Sequence, residues 1–287
     1  MLKQLSGLVL MGMFIAPVSA ETVLTASKVD EAPLVDGLVD DAAWASAQAL
    51  VTHDTVADID LTLKAVHSAD QIFILAQFPD STENLMQKAL LWDKGLEIYK
   101  TGPRREDTFV IKWNMEPLPI DLTVSSDDSY LADLWFWKAH RTDHAGYADD
   151  KHQIYTDIPH PKGQQLLSKT GNTFYLVRKG DEGKSAYKGN IPVDYQGDEI
   201  GSYAFRQPQG SRADVKAKGV WSEGVWTVEF SRKFDTGHQD DVVLMPGQAY
   251  QFGVSRYEIA GRKADSRIEI PLYGAGEISE SLTLEFR

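Results

Sequence analysis

The chain has 287 residues, 43% of them hydrophobic, and a formal net charge of −13. That acidic balance repels phosphate backbones and anionic lipid heads, which argues against nucleic-acid and membrane-surface binding. There is no cysteine, which removes disulfides, thiol catalysis, thiolate metal sites and any thioether-attached cofactor, and leaves stability to the core.

The first twenty residues read as an export leader. Lys3 precedes an apolar run from Leu8 to Pro17, and Val18-Ser19-Ala20 puts small residues where a signal peptidase cuts. The run is too short for a bilayer core of about 30 Å. The sequence therefore predicts a leader over residues 1–20 and a single domain over 21–287, located in the bacterial periplasm with no membrane span.

Asp41 to Ala49 is Ala-rich and predicts a short helix behind an Asp40 N-cap. Thr62 to Val66 and Gln71 to Phe78 predict a hairpin about Ser68-Ala69-Asp70. Thr82 to Tyr99 has a mixed apolar pattern assigned to one helix, bounded by Gly102-Pro103. Strands are expected at Thr108 to Met115 and, after a Thr-Gly-Asn turn, at Phe174 to Arg178. Gly224 to Ser231 alternates with a clean period of two. Gln248 to Tyr257, Arg267 to Leu272 and Ser281 to Phe286 complete the strands, and Gly180 to Asp214 reads as long loops. No internal repeat is present. Short, regularly spaced strands with few helices predict a mostly β fold: a two-sheet antiparallel β-sandwich with a few short helices and long loops.

Four stretches say more than composition does. Ala32 to Trp44 reads A-P-L-V-D-G-L-V-D-D-A-A-W, an Asp-Gly turn and a helix start that sends Trp44 towards a core. Asp133 to Arg141 reads D-L-W-F-W-K-A-H-R and is followed by Gly146-Tyr147-Ala148-Asp149-Asp150. Gly219 to Phe234 continues into Asp240-Asp241-Val242 and then Pro246 to Phe252. Gly102 to Lys112 has Glu106-Asp107 at its centre. The first stretch is similar to a signature shared by family 9 carbohydrate-binding modules and the haem-binding domain of ethylbenzene dehydrogenase. The other three resemble the ethylbenzene dehydrogenase haem domain, through its D-x-W-x-W-K-a-x-R with G-y-a-D-D, its W-x-x-G-x-W-t-v-e-f-x-R, and its g-P-x-x-E-D-x-f. Together they cover most of the mature chain in the family's order.

The resemblance implies a sandwich that holds one haem b non-covalently and passes electrons without chemistry of its own. The partner it implies is a periplasmic molybdenum enzyme with an iron-sulfur subunit, to which this chain would be gamma-subunit-like. It also implies a Met and Lys pair on the iron. A soft thioether favours Fe(II), whereas a ligating lysine must be buried enough to lose its proton. Excluding the leader, the methionines are Met86, Met115 and Met245, and Met115 ends the central strand where the family places its ligand. Lys263 lies in a loop comparable to that of the family's lysine, with Lys138 as its rival. Trp135 and Trp137 are expected to wall the pocket, and Lys138 and Arg141 to face the propionates. If Met/Lys ligation fails, His140 or His67 comes next.

Read without the family, the same residues have plainer roles. Trp135 and Trp137 suit a sandwich core, Met115 an irregular gap, and Lys263 a solvated loop. The competing function is a haem-free carbohydrate- or small-ligand-binding module that uses Trp135, Trp137 and Tyr147 as stacking platforms. Hydrolysis is disfavoured. Glu106/Asp107 and Asp149/Asp150 are neighbours in strands and point to opposite faces, and no nucleophile elbow, zinc motif or phosphate loop occurs.

Overall fold

The computed structural model describes residues 22–55, 58–256 and 278–287. In chain order its strands are β1 (Val23–Lys28), β2 (Leu50–Asp54), β3 (Ile59–His67), β4 (Gln71–Pro79), β5 (Leu90–Asp93) and β6 (Ile98–Thr101). There follow β7 (Thr108–Asn114), β8 (Tyr130–Lys138), β9 (Asp149–Thr156), β10 (Gln164–Leu167), β11 (Thr173–Gly180) and β12 (Tyr187–Gly189). The last are β13 (Glu199–Ile200), β14 (Tyr203–Phe205), β15 (Lys216–Ser222), β16 (Val225–Lys233), β17 (Ala249–Arg256) and β18 (Leu282–Phe286). Helical structure among the described residues is α1 (Ala42–Ser46) and single 3-10 turns at Asp143–Ala145 and Gly210–Ala213.

The fold is the expected β-sandwich, built from one continuous hydrogen-bonded sheet that doubles back on itself. Its order is β10-β11-β9-β8-β7-β17-β18-β1-β3-β4-β16-β15, with β2 paired to β3. The ladders are antiparallel except at β1, which runs parallel to both β18 and β3. Two facing halves therefore meet at β17-β18-β1. Alternate residues of each half turn inward: Phe109 stacks on Phe78 at 5.4 Å, and Trp137 meets Trp226 edge-on at 4.9 Å.

Strands buried on both faces need a second cover. For β3 and β4 it is α1, whose Trp44 packs with Val66, Phe73 and Leu75. For β7 and β8 it is the loop carrying Leu122 and Val124, together with Ile278.

The helix assigned to Thr82–Tyr99 is replaced by strands β5 and β6. Asp93 Oδ1 accepts the backbone N–H of Gly95 and Leu96 at 3.0 and 3.1 Å, an Asx turn that reverses the chain. The Gly180–Asp214 region is less loop-like than its composition suggests, since β12 pairs with β14 and β13 adds to β5. α1 starts after Asp41, one residue later than expected. The strand expected at Arg267 to Leu272 lies outside the described residues, as does the leader expected over residues 1–20. No helix among the described residues is long and apolar enough to cross a membrane.

Candidate functional site

β8 and the turn after it carry four of the predicted site residues, and the pleat sends them to opposite faces. Trp135 and Trp137 point into the sandwich, fully buried. Trp135 packs 5.2 Å from Trp113, and Trp137 Nε1 donates to Asp143 Oδ1 at 2.9 Å. Neither ring is available as an exposed stacking platform. Tyr147, the third platform, is half-buried and lies under the Lys216 ammonium.

Lys138 points the other way and is also buried. Its Nζ donates to Asp149 Oδ2 and to the Tyr187 hydroxyl, and that hydroxyl donates to Asp149 Oδ2 at 2.8 Å. Arg212 closes the cluster on Asp149 Oδ1. Burial pushes the Lys138 ammonium down to about 8 against the pull of Asp149. Burial would raise the Asp149 carboxyl, but Lys138, Lys151 and Arg212 outweigh it and hold it far below the usual range.

Arg141 pairs with Glu106, whose other oxygen accepts the backbone N–H of His140 and Arg141 at 2.8 and 2.9 Å. Its guanidinium lies over Tyr187 and Tyr203. Lys138 and Arg141 thus each have a carboxylate of their own. His140 Nδ1 accepts Gln87 N–H at 3.2 Å, and His67 Nδ1 bonds Ser68 O at 2.8 Å.

Met115 lies just past β7, half-buried, with its N–H on Leu131 O. It borders a cleft of about 260 Å³ with Pro117, Leu118, Pro119, Val242 and Tyr250. Its lining is mixed, with Asn114, Glu116 and Gln251 beside these apolar residues, and it carries no basic side chain. Met115 and the Lys138 cluster sit at opposite ends of β7, because Thr108 pairs with Lys138 and Asn114 with Ala132. The structure therefore groups Lys138 with Arg141, and Trp135 with Trp137, but brings neither pair to Met115. Lys263 lies outside the described residues; the chain leaves them at Arg256, opposite Phe109, and returns at Ile278 against Gly253.

Sequence reading missed one feature. Trp92 on β5, Tyr99 on β6 and Tyr195 form an aromatic group, with Trp92 4.9 Å from Tyr99 and 5.2 Å from Tyr195, both edge-on. Tyr195 is 56% exposed. The Tyr99 hydroxyl donates to Gly197 O and accepts Gln196 N–H, both at 2.8 Å, which fixes the Tyr195 loop on the hairpin. Assigning this stretch to a helix hid the group, since only the hairpin register sets Trp92 opposite Tyr99.

The ethylbenzene dehydrogenase family profile matches residues 29–266. The chain belongs to that family. Among curated proteins no sequence matches it. Among solved structures, this family member is similar to a family 9 carbohydrate-binding module from Caldicellulosiruptor kristjanssonii in complex with glucose. The TM-score is 0.41 at 9% identity, over 92% of this chain and 95% of that one. The same module in complex with cellotriose gives 0.39 at 11% identity, over 92% and 94%.

Proposed function

We propose that this member of the ethylbenzene dehydrogenase family is an electron-transfer protein of the periplasm that binds one haem b without covalent attachment and catalyses nothing itself. The observation that carries the proposal is the family match, which runs through both Met115 and Lys263. Met115 fits the part of one axial donor in that its soft thioether side chain is half-buried and borders a cleft free of basic groups. Bound haem would supply a one-electron Fe(III)/Fe(II) couple. Met115 would favour the reduced form, and Tyr250 would border the group on that side. Lys138, Arg141, Trp135 and Trp137 lie away from Met115, in an ion-pair cluster and a core that hold the sandwich together. A periplasmic redox enzyme would be the partner.

The test is an absorption spectrum of protein made in a haem-replete periplasm. A Soret band with reducible α and β bands supports the proposal, and Met115→Ala and Lys263→Ala should each shift the reduced spectrum. A colourless protein that also refuses added haemin defeats it.

The exposed aromatic group favours a second reading, binding of a carbohydrate at Trp92, Tyr99 and Tyr195, since part-exposed rings offer apolar faces to sugar C–H groups. Migration slowed in a native gel containing cellulose or xylan derivatives, and restored by Trp92→Ala, would establish it.

A further inference from the structure

Three segments of the sequence meet at one end of the sandwich interior. Asp133 comes from β8, Asp150 from β9 beside it, and Asp241 from the loop after β16. One oxygen of each carboxylate lies within 4.8 Å of the others, and all three residues are buried. Arg232 of β16 is the only cation in contact with them among the described residues. It donates to Asp133 Oδ2 at 2.5 Å and lies 3.5 Å from Asp241 Oδ1. Three carboxylates against one guanidinium leave two negative charges over, in a place where unpaired charge is costly.

The outer oxygens are fastened. Val242 N–H donates to Asp133 Oδ2 at 3.1 Å, and Thr236 Oγ1 to Asp241 Oδ2 at 2.5 Å. The other oxygens are not. Asp133 Oδ1, Asp241 Oδ1 and both oxygens of Asp150 are buried with no hydrogen-bond partner. Asp150 is 0% exposed. Protonating Asp150 would remove one charge, but its single O–H could serve one neighbouring oxygen at most and would leave the other loose oxygens unpartnered. A single cation could take one oxygen from each of the three carboxylates at once.

We propose that Asp133, Asp150 and Asp241 bind a divalent cation, calcium by preference. All the donors are hard carboxylate oxygens, which select calcium, magnesium or manganese over zinc or copper. Magnesium gives up its waters reluctantly and demands a near-ideal octahedron, whereas calcium accepts an irregular set of carboxylate oxygens such as this one, hence the preference for calcium. Charge closes as well: a divalent ion balances the two negative charges that Arg232 leaves. A cleft of about 500 Å³ opens nearby, lined among others by Asp240, the chain neighbour of Asp241, and by His152, the cross-strand partner of Asp133. The site would lock β8, β9 and the 234–244 loop together and is independent of any haem.

The experiment uses the full mature chain, stripped with EDTA. Calcium should raise its melting temperature by several degrees. Terbium, a calcium mimic, should luminesce on tryptophan excitation, because Trp135 is the cross-strand partner of Asp150. Asp150→Asn should melt above wild type in EDTA, lose the response to calcium, and bind terbium at least ten-fold more weakly; Asp241→Asn serves if that variant does not fold. A wild type that binds neither ion and melts identically in EDTA and calcium overturns the proposal. So does a calcium response that survives in whichever variant folds, which would place the ion elsewhere.

Discussion

Asp107 opens the buried run of β7, fully covered, and accepts the N–H of Asn84 at 2.7 Å and Trp226 Nε1–H at 3.0 Å. Burial, then the nearby charge of Asp80, pushes its carboxyl up to about 7. The native chain therefore keeps this proton between about pH 4 and pH 7 while the unfolded chain has released it. More protons on the native state means that stability falls as pH rises through that window. A shift of about three units is worth up to roughly 4 kcal/mol. Urea midpoints in EDTA should be higher at pH 5 than at pH 7.5, and Asp107→Asn should shrink that difference; an unchanged difference would refute the assignment. Lys138 acts in the opposite sense above neutrality. Its ammonium is depressed to about 8, so its contribution grows as pH rises from there towards 10.5. At this scale the sequence was half legible. The period of two put Trp135 and Trp137 on one face, but nothing local said that face was the core. Nor could it show that Lys138 is buried, because Asp149 comes from the next strand, where it pairs with Phe136.

The elements were easier to read where hydrophobic alternation was long. The β3–β4 hairpin, β7, β11, β16, β17 and β18 fall where the pattern put them, within a residue or two at their ends except that β3 starts three residues earlier. Reading failed at 82–99, where two four-residue strands are too short to show a period and the Asp93 turn was overlooked. A different lesson comes from β16. Its alternation is real, yet Glu229 on the polar side is buried, 1% exposed. Its carboxylate accepts Asp36 N–H, Gly37 N–H and Trp44 Nε1–H at 2.8, 2.7 and 2.6 Å. The Asp-Gly turn and Trp44 of the first signature are thus tied to the sheet by one side chain. Gly37 must be glycine there, since its φ is +84° and a Cβ would lie 2.7 Å from Val220. Glu229→Gln keeps the shape but puts an amide donor where acceptors are needed. It should cost about 2 kcal/mol in chemical denaturation, with α1 loosening first in hydrogen exchange. A loss under about 0.5 kcal/mol would contradict this reading.

Across the whole molecule, the stretches that carried the family resemblance turn out to be joints. Asp133 and Asp150 of one meet Arg232 and Asp241 of another, and Glu106 of a third grips Arg141. Such meetings depend on strand order, which no single stretch of sequence encodes. The sandwich type was therefore legible, but the doubled-back sheet was not. That sheet has one seam: β18 pairs with β17 on one side and, through Thr283 and Val23, with β1 on the other. Leu284→Ala, at a fully buried seam position, should cost roughly 2–5 kcal/mol and lower the unfolding midpoint of both halves alike. Pairings between residues so far apart in the chain make the search for the native state slow. Refolding from urea should take on the order of seconds or longer. The largest core cluster is shared between the two halves, so melting followed by tryptophan fluorescence and by far-ultraviolet dichroism should coincide in one cooperative transition.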